Sequence, residues 1–404
     1  MLGLLRSACW GGWLISLAVG ATSVGASIRP TFSVDAYSWS ATHIALVETT
    51  ASDGVFSVVE SFKGDLKPGD TLEVPELRPD KDAVPLSSYW RVAGSDLQNR
   101  PGVREQIPRQ PIGSRMILFL KKGAGGGGAS PSGGVGTGTQ WGPAGPWGEM
   151  KVSVLWIDSG RAFCFQQQIN PGPSELSPCW RGSETSSEVT AFVVRIKEVL
   201  EVQRHLADTL ALKDAEVRAE RLGVIALGDV YEAQRAAMEA LAKAGTVALP
   251  EILQVMDKPP AVYDGDMLIH MFVEAAGKDS GRQVHARLQQ DLAYWRAIGP
   301  TMTQDWLGNL ITPGLPLFVK FNETVLLVRE LNRERYAPAA KTVAELHDFW
   351  VSQPQLYDAK WGGCVRSEDC RSGSALDHLH SELFEFARDC EAFVKRMSRE
   401  KPAK

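Results

Sequence analysis

The apolar residues of this chain change their period once, and that change constrains the fold more than any other feature. Up to about residue 182 they come in short alternating runs closed by glycine or proline, and beyond it they recur every three or four residues. Alternation puts side chains on one face of a strand, whereas the wider spacing draws one stripe along a helix. The chain therefore predicts an α+β, multidomain protein: an N-terminal antiparallel β part followed by a helical array.

In the first part, "THIALVET" (42–49) and "VFSVVESF" (55–62) read as strands across the Asp53-Gly54 turn. "KGDLKPGD" is a loop by composition, and "TLEVPEL" alternates until Pro75. Residues 78–113 read as a long excursion. "SRMILFLK" (114–121) reads as a buried strand, and "KVSVLWID" (151–158) with "RAFCFQQ" (161–167) as a hairpin across Ser159-Gly160.

Between these strands Gly123 to Gly128 spell G-x-G-x-x-G. A dinucleotide loop needs a helix directly after the glycines, because its free N–H groups hold the pyrophosphate. Here Pro131, Pro143, Pro146 and further glycines follow, which forbid one. The tract reads as a Gly/Ser-rich insert at 122–147, with Trp141 and Trp147 at its end either folding back to pack, the preferred reading, or facing a partner, and no cofactor is expected.

From Ser183 the helical period takes over. Val189, Phe192, Val193, Ile196, Val199 and Leu200 form one stripe, and 183–212 reads as a connecting amphipathic helix. Beyond residue 213, Gly245 and Gly277 break helical segments 32 residues apart, a spacing of two-helix repeats. Further helices are expected near 315–335, 340–352 and 374–398.

The first 26 residues carry one basic residue, Arg6, an apolar stretch and a small-x-small ending at Val24-Gly25-Ala26. They read as a signal peptide cleaved after Ala26, with an uncleaved anchor as the alternative, which makes the protein secreted or periplasmic with no later membrane span. Cys9 falls in that leader. Cys164, Cys179, Cys364, Cys370 and Cys390 remain, an odd number in an oxidising compartment where disulfides are favoured. The net charge of −5 argues against a nucleic-acid partner.

"ATHIALVET", "GVFSVVESFKGDLKPGDTLEV" and "GSRMILFLKK" resemble the netrin-type, OB-like barrel shared with tissue inhibitors of metalloproteinases. The resemblance implies a barrel over residues 27–182. It does not carry the inhibitor activity, because no cysteine starts the mature chain to chelate a protease metal. "RAAMEALAKAG" followed by "ALPEILQVMD" resembles HEAT-type repeats, implying a protein-binding scaffold over 213–300. The sequence departs from that pattern in the C-terminal helical region, 301–404.

Chemistry-bearing residues are few. Cys164 and Cys179 can bridge, Cys164 being read as outward because Phe163 and Phe165 face the core. Cys364, Cys370, His378 and Cys390, with His380, are zinc-type donors. Their spacing suits a Cys364–Cys370 or Cys370–Cys390 bridge better, since both histidines cannot face one metal from a helix. His43, His270 and His285 read as structural. Trp306, Trp350 and Trp361 are candidates for a partner groove, with core packing as the default. The expectation is an exported, non-enzymatic binding or scaffold protein with a protein or peptide partner. The alternative is a metal-dependent hydrolase or redox protein built on the C-terminal Cys/His cluster. The oligomeric state is left open.

Overall fold

The structure, a computed structural model, describes residues 32–88, 106–123, 141–144, 150–166, 175–178, 188–258, 265–299, 316–352 and 375–399. The chain divides into two compact units. One holds the strands together with 188–208 and Asp229–Ala233, and the other holds Thr209–Gly228 and the helices from Gln234 onward.

The first unit opens with α1 (Val34–Ser40), capped by the Ser33 hydroxyl accepting the Ala36 N–H. Strands β1 (His43–Thr49), β2 (Val55–Lys63), β3 (Thr71–Glu73) and β4 (Arg115–Lys122) follow. Then come β5 (Trp141–Pro143), β6 (Val154–Asp158), β7 (Arg161–Gln166) and β8 (Glu175–Pro178). They pair antiparallel in the order β3-β2-β1-β4-β6-β7-β8, with β5 added to β4. Among the described residues β3 and β8 end this path without joining, so the sheet is open where a closed barrel was expected.

Alternation splits the sheet's side chains into two cores. Val47, Val58, Met116, Leu118, Trp156 and Phe163 fill one face. Ile44, Ile117, Phe119, Leu155 and Cys164 fill the other. The second face needs a cover, which α1 and α2 (Val189–Leu210) supply through Phe32, Tyr37, Phe192 and Ile196. The amphipathic helix read as a connector is thus part of the sheet's own core. Arg195 of α2 ties this layer down. It is held bidentate by Asp35 of α1 at 2.8 and 2.6 Å and reaches Asp229 at 2.6 Å.

Cys164 corrects a second expectation. Phe163 and Phe165 do face one core, but the opposite face is covered, so Cys164 is fully buried rather than outward. It is disulfide-bonded. Cys179 lies outside the described residues.

The helical unit contains α3 (Ala215–Ala226), α4 (Tyr231–Ala244), most of which falls in it, and α5 (Leu249–Asp257). It continues with α6 (Gly265–Ala276), α7 (Ser280–Ile298), α8 (Pro316–Glu334), α9 (Ala340–Val351) and α10 (Ala375–Arg399). The α4–α5 and α6–α7 breaks share one construction. Each has a glycine with positive φ, +73° at Gly245 and +56° at Gly277, opening a short 3-10 turn. Trp295, Phe321, Trp350 and Phe386 interlock edge to face in the core.

Candidate functional site

At one end of the sheet, the β1–β2 turn, the stretch after β3 and the segment before β4 enclose a small cavity. The turn is rigid for identifiable reasons. Thr50 Oγ1 donates to the Val55 carbonyl at 2.8 Å and accepts the Ser52 N–H at 3.2 Å. Gly54 adopts φ +77°, and a Cβ there would lie 2.8 Å from Arg78 Cγ, so only glycine fits. The wall opposite is held by Thr49, whose hydroxyl donates to the Pro111 carbonyl at 2.6 Å and accepts the Ser114 N–H at 3.1 Å.

Val55, Phe56, Leu77 and Met116 line the cavity with carbon, and Pro79 and Pro108 flank it. Trp156 and Gln110 line it too, and each has a polar atom with no partner. Trp156 is 1% exposed, its ring edge-on to Phe165, and its Nε1–H has no acceptor. The Nε2 group of Gln110 is likewise buried and unpaired. Leaving a buried donor unsatisfied costs on the order of 1–3 kcal/mol. Both donors belong to residues that line this one cavity of about 30 Å³.

Three other polar clusters are held by ion pairs and hydrogen bonds of their own, although Arg287 Nη2 is buried without a partner. Near the opposite ends of β1 and β4, His43 Nε2 lies 2.7 Å from Asp65 Oδ1, and Lys122 Nζ lies 3.2 Å from Asp65 Oδ2. The hydrogen bonds from His43 and then Lys122 hold the Asp65 carboxyl below its usual range. Lys63 donates to the Ser38 and Trp39 carbonyls at the end of α1, and burial lowers its pKa to about 8. Trp141 packs edge-on to His43, the packing role expected of it.

In the helical unit, Arg287 and Asp291 of α7 meet Lys320, Glu323 and Thr324 of α8. Arg287 Nε donates to Glu323 at 2.6 Å, and its Nη1 pairs with Asp257 at 2.7 Å. Lys320 bridges Asp291 and Glu323. The Thr324 hydroxyl lies 2.8 Å from Asp291 Oδ2 and accepts the Trp295 indole N–H at 2.9 Å. Burial, then the neighbouring Glu323 charge, raises the Asp291 pKa to about 6. With Asp291 wholly buried and both cations engaged, the cluster fastens two helices together.

The residues singled out in the sequence fare unevenly. Cys390 on α10 is a fully buried free thiol, and burial with the Asp389 charge pushes its pKa well up. Burial of this kind favours the neutral thiol over the thiolate. His378 falls on α10 with its side chain outside the described set, and Cys364, Cys370, Trp306 and Trp361 lie outside the described residues. Among the described residues no group of three or more His, Cys, Asp or Glu is placed to hold a metal. Trp350 is 2% exposed in the helical core, which removes it from a groove. His43 and His285 are hydrogen-bonded, His285 to Thr342 at 2.8 Å.

The sequence reading missed Trp156, Gln110 and the Arg287–Asp291–Lys320–Glu323 cluster. In sequence the last is two ordinary helical charge pairs spaced i,i+4 and i,i+3, indistinguishable from solvated ones.

No family model, curated protein or solved structure matches this chain. Among the described residues no helix is long and apolar enough to cross a membrane.

Proposed function

We propose that this is an exported, non-enzymatic binding protein whose sheet unit carries the ligand site. The single observation behind the reading is the cavity between β1, β2, β4 and β6, walled by two buried N–H donors that lack acceptors. Natural folds pair most such groups, and these two belong to residues that share one cavity. The charged clusters elsewhere are ion-paired between helices, which suits a scaffold. An OB-like, netrin-type sheet unit and a HEAT-like helical unit belong to the same proposal. The strand sequence and the twin glycine breaks at Gly245 and Gly277 support it.

The reading is tested by ligand-observed NMR, screening small neutral and charged molecules against the full chain and a Val55→Phe variant. Val55 lines the cavity, and a larger side chain there is expected to obstruct it. Compounds that bind the wild type and are lost in the variant support the proposal. A screen in which nothing depends on Val55 contradicts it.

A further inference from the structure

The geometry points to a carboxamide as the group this cavity receives, its carbonyl oxygen turned in to Trp156 and Gln110 and its own N–H turned out to Asp53. The inference rests on the binding reading above and adds the chemistry of the ligand.

Three observations carry it. The first is polarity. An indole N–H can only donate, and the Gln110 amide can turn its NH₂ inward beside it, so the inner end of the occupant must be an acceptor. The second is charge. Among the described residues Asp53 is the one ionisable group lining the cavity, and no lysine or arginine lines it. A carboxylate or phosphate would enter with no counter-charge and meet Asp53 at the rim, so the acceptor belongs to a neutral group. Asp53 in turn offers an acceptor to any N–H the ligand carries. The third is size. About 30 Å³ bounded by Val55, Phe56, Leu77 and Met116 admits a carbonyl with little else and excludes a ring. A planar carboxamide has the acceptor, the donor, the neutrality and the thin profile together. On a peptide partner it is the side-chain end of asparagine or glutamine.

The test follows the Trp156 indole signal of the full chain in ¹H–¹⁵N spectra during titration with acetamide and, separately, acetate. The signal is assigned by its loss in Trp156→Phe. Should that variant not fold, it is assigned through its proximity to the Phe165 ring, whose centroid is 6.3 Å away. Acetamide is expected to shift the indole proton saturably, in the millimolar range that so few atoms allow. Gln110→Met should weaken binding by a factor of roughly 2 to 10, the worth of one hydrogen bond. Acetate acting as strongly as acetamide overturns the carboxamide assignment. So does no acetamide response while other compounds still bind in a Val55-dependent way, an outcome that leaves the binding reading standing.

Discussion

Gly64 and His43 occupy one space: a Cβ on Gly64 would fall 2.2 Å from the Cδ2 of the imidazole. The glycine, at φ +93°, lets the loop after β2 lie flat on the first residue of β1, and Asp65 then closes over His43 Nε2 at 2.7 Å. Local backbone, ring packing and an ion pair thus depend on one missing methyl group.

Gly64→Ala is expected to destabilise the sheet unit by about 2 kcal/mol or more, combining a left-handed backbone with a contact the ring cannot avoid. Asp65→Ala, which removes only the exposed carboxylate, should cost far less. Urea unfolding of both variants checks the order, and equal losses would show that the ion pair rather than the close approach secures the loop.

Asp291 gives a signed dependence on pH. Its pKa in the folded protein, about 6, stands above the ordinary carboxyl value of 3.8. The folded state therefore holds the proton more tightly, and the stability this contributes is present below about pH 4 and lost as pH rises through about 6. The unfolding free energy of the wild type relative to Asp291→Asn should fall across that window. A difference that is flat or rises with pH would mean Asp291 is ionised throughout, its charge fully met by Lys320 and Arg287.

The two described cysteines should behave oppositely. Cys164 is disulfide-bonded, and Cys179 is the cysteine nearest to it in sequence. Peptide mapping of the unreduced protein is expected to recover a Cys164–Cys179 link, and reduction should cost about 3 kcal/mol for a loop of that length. Cys390 should resist alkylation until the helical unit unfolds. Rapid labelling of Cys390 in the native protein would contradict its burial.

The sequence made the large division legible, and the reasons are local. Alternation in "VFSVV" and the stripe from Val189 to Leu200 are backbone periodicities that any core must respect. The second layer of the sheet was also written there, since "MILFL" is apolar on both faces and a strand of that kind needs two covers. Reading α2 as a linker lost this, and with it the burial of Cys164. Trp156 resisted any such reading. An indole on a strand reads as core, and whether its N–H finds an acceptor depends on Gln110 and Gly54, far away in sequence. The Asp291 cluster was hidden for the same reason, its partners being divided between two helices.

The central claim is that Trp156 and Gln110 keep open donors for a ligand rather than for the fold. It is tested most directly by the unfolding free energy of Gln110→Met, measured with and without a ligand that binds the wild type. The account predicts that the free variant is at least as stable as the wild type, because an unsatisfied buried donor has been removed. It also predicts that the variant gains less stability than the wild type when the ligand is added. A free variant that is less stable by more than about 1 kcal/mol, yet gains as much from the ligand, would show that Gln110 serves the fold alone and would contradict the claim.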